Sequence, residues 1–239
     1  MIERRMDYLR PGDYCTLRDE TPIAFLPWGA HEWHGRHNAL GVDGLKAHSM
    51  CLAMADRIGG VVLPPVYLGH GTMQRHCQAN TLEFPIELVE QTARHYFMQL
   101  RVDGFRVIVV VMGHYGRDHL TAIQRVARRV EEDFPGVLRI IAEPDAAWTE
   151  PQFPGDHGAA NETSYMMLFH PQTVDLAALP SLADKPKLDF RGDGVGGPDP
   201  RTEASAERGR RQLDMLIDRA TVQIAAALHQ VRPDTRRRA

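Results

Sequence analysis

An α/β fold with a mostly parallel sheet, covered by helices on both faces, follows from three features of the sequence. Four short apolar runs of strand character alternate with segments of helical spacing, giving the order β-α-β-α-β-α-β. The third run, Val107–Met112, is β-branched as far as Val111, the composition of a strand buried on both faces. Parallel strands need crossover connections, and the helical segments between the runs supply them. In chain order the strands are read at residues 23–27, 60–64, 106–112 and 137–142. Helices are expected at residues 44–58, 86–102 and 120–132, then at 161–169, with a long C-terminal one at about 207–229. Residues 179–200, with their Pro, Gly and Asp clusters, read as a long loop.

Length and composition bound what the chain can do. Its 239 residues, 43% hydrophobic and 25% charged, match an ordinary globular protein. No linker, repeat or low-complexity stretch divides them, so one domain over residues 1–239 is expected. The 28 Lys and Arg are outweighed by 31 Asp and Glu, leaving a formal charge of −3. That is not the basic excess a phosphate backbone requires, so nucleic acid is excluded as a partner. The longest apolar run falls far short of the ~20 residues that span a bilayer, and no apolar signal region follows the charged start. A cytoplasmic protein without a membrane partner is expected. Cys15, Cys51 and Cys77 are too few and too scattered for a disulfide framework or a thiolate zinc site. The run Arg236-Arg-Arg reads as a solvated tail.

In an open parallel sheet the ligand site lies beyond the carboxyl ends of the strands. Eight of the twelve histidines fall there: His31, His34 and His37 after the first strand, His70 and His76 after the second, His114 and His119 after the third, and His157 after the fourth. Packing alone does not account for such a gathering, because a buried imidazole needs a compensating partner. Glu32, His34 and Asp43 stand out in the segment after the first strand. In an extended segment Glu32 and His34 point to one side and reach either one ion or two neighbouring ones, while Asp43 has two oxygens with which to bridge a pair. His114 would complete one shell. A nitrogen and oxygen donor set without thiolate suits Zn, Mn or Fe better than Ca. No glycine pattern of a nucleotide-binding loop is present.

These segments carry a family resemblance. Trp28-Gly-Ala-His-Glu-Trp-His-Gly-Arg-His-Asn-Ala-Leu-Gly-Val-Asp43 resembles the Gly-Ser-x-Glu-x-His-Gly-x-His-Leu-Pro-x-x-x-Asp motif of the creatininase family of metal-dependent amidohydrolases. Met112-Gly-His-Tyr-Gly-Arg117 resembles that family's Asn-Gly-His-Gly-Gly-Asn, and Asp156-His-Gly-Ala-Ala-Asn-Glu-Thr-Ser164 its Asp-His-Ala-Gly-x-x-Glu-Thr-Ser. His76 falls where the family has a histidine before a Pro-Gly-Thr turn, here Gln78-Ala-Asn-Thr81. The matching segments run in order from about residue 22 to 175.

The resemblance implies a three-layer α/β/α sandwich, a centre of two divalent metal ions per subunit and a homo-oligomer, hexameric or otherwise. It also implies hydrolysis of a non-peptide C–N bond in a small cyclic or linear amide, lactam, formamide or creatinine-like compound. Glu32, Asp43 and His114 would hold one ion, and His34 with Asp43 the other. A metal-activated water, its pKa lowered toward ~7, would attack the carbonyl. His157 would serve as acid and base, its other reading being a contact to a backbone carbonyl or a helix cap. Glu162 is placed with the catalytic residues, at the positive end of a helix. His37 is expected to orient the Glu32 or Asp43 carboxylate. His76, Tyr115 and Trp148 are expected near substrate; Trp28, Trp33 and Trp148 are placed to wall a small planar amide, but for two of the three packing is the expected role, because tryptophan buries a large area. One departure matters most: creatinine-hydrolysing members carry a glutamate ligand two residues after the third-strand histidine, and here that position is Gly116. Asp118, Glu162, Asp156 or water would have to replace it. The alternatives are a non-catalytic metal-binding homologue, or an isomerase or peptidase of the same family.

Overall fold

The computed structural model describes residues 2–232, so the basic run at 236–238 lies outside the described residues. An N-terminal helix α1 (Pro11–Glu20) leads into β1 (Ile23–Gly29), followed by α2 (Val42–Ile58), β2 (Val61–Val62), β3 (Val66–Tyr67), α3 (Ile86–Asp103), β4 (Val107–Met112), α4 (Arg117–Asp133) and β5 (Arg139–Pro144). The chain closes with α5 (Ala160–Phe169), two one-turn helices α6 (Phe190–Asp193) and α7 (Pro200–Glu203), and the long α8 (Ala206–His229). Every strand pairing is parallel, in the order β2-β1-β4-β5, with β3 also on β1. Phe25 aligns with Val109, and Val109 with Ile141.

Every residue of β1 and β4 is buried, which is why neither strand alternates in polarity. Successive side chains leave on opposite faces. Ala24, Leu26 and Trp28, with Ile108, Val110 and Met112, pack against Val89, Ala93 and Phe97 of α3 and Ile123 and Val130 of α4. Ile23 and Phe25, with Val107, Val109 and Val111, pack against Met50 and Met54 of α2, Tyr165 of α5 and Leu213, Leu216 and Ile224 of α8. The two cores make the expected three layers. Among the described residues no helix is long and apolar enough to cross a membrane.

Three local features differ from the sequence reading. The second strand is broken: after β2 the chain keeps one bond, from Leu63 N–H to the Phe25 carbonyl at 2.9 Å, passes Pro64 and Pro65, and pairs again with Trp28 and Gly29 as β3. Two prolines remove two ladder donors, and the sheet yields there. Helix α1 buries only Leu17, so it carries no apolar stripe by which to be recognised. Residues 179–200 are not a plain loop: α6 and α7 lie at its end, Asp189 accepting from Gly192 N–H and Asp199 from Arg201 N–H. This strap also exchanges backbone hydrogen bonds with His157 through Gly196, at 3.1 and 2.7 Å.

Candidate metal centre

Beyond the carboxyl ends of the strands the structure gathers Glu32 and His34 from the segment after β1, Asp43 from the first turn of α2, His114 after β4, His157 before α5 and Glu162 in the first turn of α5. All but His157 are buried. The start of α2 reaches the sheet because a side chain is absent where it touches: a Cβ on Gly113 would lie 2.2 Å from the Asp43 carbonyl oxygen. Asp43 stands between two histidines, its Oδ1 3.1 Å from His34 Nε2 and its Oδ2 3.4 Å from His114 Nδ1. On the first side Glu32 Oε1 lies 3.0 Å from His114 Nδ1, and on the second Glu162 Oε2 lies 3.4 Å from His34 Nε2. Glu32, Asp43 and His114 thus form one three-donor group, His34, Asp43 and Glu162 another, each with ligand atoms within 4.8 Å of one another.

Each imidazole is turned by its far nitrogen. A carbonyl only accepts, so the nitrogen facing it carries the proton. His114 donates from Nε2 to the His70 carbonyl at 3.0 Å, His34 from Nδ1 to the Glu32 carbonyl at 3.1 Å, and His157 from Nε2 to the Trp33 carbonyl at 3.0 Å. In the neutral rings the opposite nitrogens present lone pairs to the carboxylates, an arrangement that calls for a cation. His34 Nε2 is buried and, although 3.1 Å from Asp43, makes no aligned hydrogen bond. Without an ion the cluster recruits protons: burial opposes it, but Asp43, Glu162 and Glu32 push His34 up to about 10. The donor set and the orphaned nitrogen both fit divalent metal.

Gly116 is not simply a lost ligand. A Cβ there would lie 2.4 Å from the His70 carbonyl oxygen and 2.6 Å from His114 Nε2, so the backbone that orients His114 occupies the space a side chain would need. Glu162 supplies the carboxylate on the second side, whereas Asp118 is exposed and Asp156 accepts from the Asn161 and Glu162 N–H groups at 2.7 and 3.1 Å. Burial and the Glu162 charge raise Asp156 to about 7. Behind Glu162 stands a residue the sequence reading passed over: Lys46, fully buried, donates to Glu162 Oε1 at 2.6 Å and to Tyr115 Oη at 2.9 Å, and lies 3.3 Å from Asp145 Oδ2. Tyr115 donates to Asp145 Oδ1 at 2.6 Å. Lys46 follows Asp43 by three residues on α2, the spacing that puts side chains on one face, and that was the available signal.

A cavity of about 300 Å³ opens beside the cluster, lined by Glu32, His114 and His157 together with His76, Tyr115 and Phe190. His76 and Tyr115 therefore stand where substrate was expected. The edge of Phe190 meets both His157 and His76, with ring centres 5.1 and 5.4 Å away. Two expectations are corrected. Trp148 does not face the cavity; it packs in the core beside α8 and donates to Gln223 Oε1 at 2.8 Å. Trp28 is likewise in the core, donating to the Leu68 carbonyl, so two of the three tryptophans pack as expected and the cavity wall is made by Phe190 and Tyr115. His37 orients no carboxylate: its Nε2 pairs with Thr163 Oγ1 at 3.2 Å, and burial lowers it to about 4. His31 stacks on Tyr67 with ring centres 3.9 Å apart.

The profile of the creatininase family, described as creatinine amidohydrolase, matches residues 9–224. Creatinine amidohydrolase of Pseudomonas putida is 28% identical over 236 residues, covering 89% of this chain and 91% of that protein. A solved creatininase variant of zinc–zinc type matches with a TM-score of 0.75 at 23% identity, covering 95% of this chain and 98% of that one. A variant complexed with creatine gives 0.76 at 22%, covering 94% and 98%; at such identities the likeness shows the fold. With a family match over nearly its whole length and a buried cluster suited to divalent metal, the chain belongs to the creatininase family of metal-dependent amidohydrolases.

Proposed function

We propose that this protein hydrolyses a non-peptide C–N bond of a small cyclic or linear amide, in a centre that takes two divalent ions. The observation that carries the reading is the position of Asp43, one oxygen toward His34 and the other toward His114, with Glu162 and Glu32 closing the two sides. Glu32, Asp43 and His114 would hold one ion, and His34, Asp43 and Glu162 the other. Zinc or manganese suits these donors. When bound, divalent ions supply Lewis-acid polarisation of a carbonyl and acidify water.

The protein's own residues do the rest. His157 keeps its Nε2–H on the Trp33 carbonyl, so proton exchange with substrate falls to Nδ1, which faces the cluster 3.7 Å from Glu32 Oε1. Burial and the neighbouring His34 lower its pKa, leaving the ring neutral and able to take a proton and return it to the leaving nitrogen. Stacking on His34, with ring centres 4.1 Å apart, and the edge of Phe190 fix the ring plane. The cavity admits a small molecule and is too narrow at about 300 Å³ for a folded partner. Creatinine, lactams and formamides are the compounds to offer to metal-loaded protein, with ammonia, amine or formate release as readout. His157→Ala should keep its metal and lose roughly 10²–10⁴-fold in turnover. Release of none of these products, or conversion to a product of unchanged mass, contradicts hydrolysis.

A further inference from the structure

The strap between residues 179 and 200 contributes one large side chain to the cavity beside the metal cluster, Phe190. That ring is not spent on folding the strap. A small core of Leu179, Leu188, Val195 and Ala159 lies under it, and among the described residues Phe190 takes no part in that core and stays 38% exposed. The ring meets the His157 and His76 rings and the cavity instead.

Its backbone is nevertheless fastened on several sides. Asp189, the residue before it, accepts from Gly192 N–H at 2.6 Å, and Asp189 N–H donates to Asp193 Oδ2 at 2.8 Å, so the turn that carries Phe190 is tied at its start. Gly194 ends the turn in the left-handed conformation, with φ 69°. Gly196 then joins the strap to the backbone of His157, and a Cβ on Gly196 would lie 2.9 Å from Phe190 Cδ2, so the returning chain backs the ring. Gln78, two residues after His76, donates to the Arg191 carbonyl and ties the strap to the turn across the mouth. A hydrocarbon ring left out of the core, yet held against the histidine that exchanges the proton, is positioned for a ligand. Resting on the metal-centre reading above, we infer that Phe190 is the specificity-determining residue of the cavity, limiting the bulk a substrate carries beside its reacting carbonyl. Short-chain and single-ring amides fit under it, and fused-ring amides are excluded.

Hydroxamates test this without turnover, because they chelate a metal ion through their own two oxygens. Acetohydroxamic acid and 1-naphthohydroxamic acid share that group and differ in the bulk beside the carbonyl. Each is titrated by calorimetry into Mn²⁺-loaded full-length protein. An unrestricted site would favour the naphthyl probe for its larger apolar area. The parent should instead bind it at least about tenfold more weakly than the small one. Phe190→Ala should tighten the naphthyl probe by at least about tenfold and move the small one by less than about threefold, at unchanged metal content. Phe190→Leu should fall between, and Phe190→Trp should widen the preference for the small probe, an order that a merely loosened strap would not give. Should Phe190→Ala fail to fold, the other two variants still decide. A parent that prefers the naphthyl probe, or a preference that does not follow the size of residue 190, overturns the inference and leaves the metal-centre reading standing. Failure of Mn²⁺ to bind the parent, or of both probes to bind once it is loaded, overturns the two together.

Discussion

At the scale of single residues, the site is set by which atoms backbone carbonyls leave free. His70, Glu32 and Trp33 each fix one imidazole by accepting from its far nitrogen. Gly116 belongs to this device, because its missing side chain lets the His70 carbonyl reach His114. Gly116→Ala should therefore cost about 1–3 kcal/mol of stability and weaken metal binding on the His114 side, measured by urea unfolding and Mn²⁺ titration. A variant equal to the parent in both would contradict the close packing. Glu32, His34, Asp43 and His114 were legible in the sequence as candidate ligands because their chemistry restricts residue type and spacing, whereas His157 was singled out by the family resemblance. Lys46 and Asp145 were not, since a buried ion pair is defined by a partner far along the chain, and neither residue stands in a motif. Trp148 misled for a related reason: its position at the end of a strand was readable, but the direction of its side chain is decided by Gln223 on α8.

At the scale of elements, strands and long helices were readable because each buries enough apolar surface to mark the sequence, from the all-buried β1 and β4 to the stripe of α8. Helix α1, with one buried residue, and the proline-split second strand left no such mark. The segment between β3 and α3 shows how a loop serves the site. Glu83 accepts from Gly71 N–H, Thr72 N–H, Thr72 Oγ1 and Arg75 Nε at 2.7–3.0 Å, and the turn it ties presents the His70 carbonyl to His114 and the Met73 N–H to Glu32 Oε2. Burial alone would raise Glu83, but these donors lower it from 4.5 to about 2. A carboxylate with a depressed folded-state pKa adds stability that is complete above its unfolded value and is lost as pH falls toward the folded one. Between about pH 4.5 and 2 the parent should therefore lose stability more steeply than Glu83→Gln in urea unfolding. Equal slopes would show that the turn is held by other contacts.

At the scale of the whole molecule, two apolar cores on either side of one parallel sheet hold the strand ends rigid enough for six side chains from four segments to meet. Leu216 lies at the centre of the core formed by α2, α5 and α8, fully buried. Leu216→Ala should cost about 2–5 kcal/mol by urea unfolding, whereas a cost below 1 kcal/mol would mean that α8 packs only loosely on the sheet. The three layers follow from alternation alone, which is why the fold was legible before any site residue was placed. The claim on which everything functional depends is that Asp43 lies between two cations. Anomalous diffraction from crystals grown at saturating Mn²⁺ measures it directly. Two peaks are expected, one among Glu32, Asp43 and His114 and one among His34, Asp43 and Glu162. No peak in the cluster, or a single one that leaves Glu162 and His34 without an ion at saturation, would contradict the account.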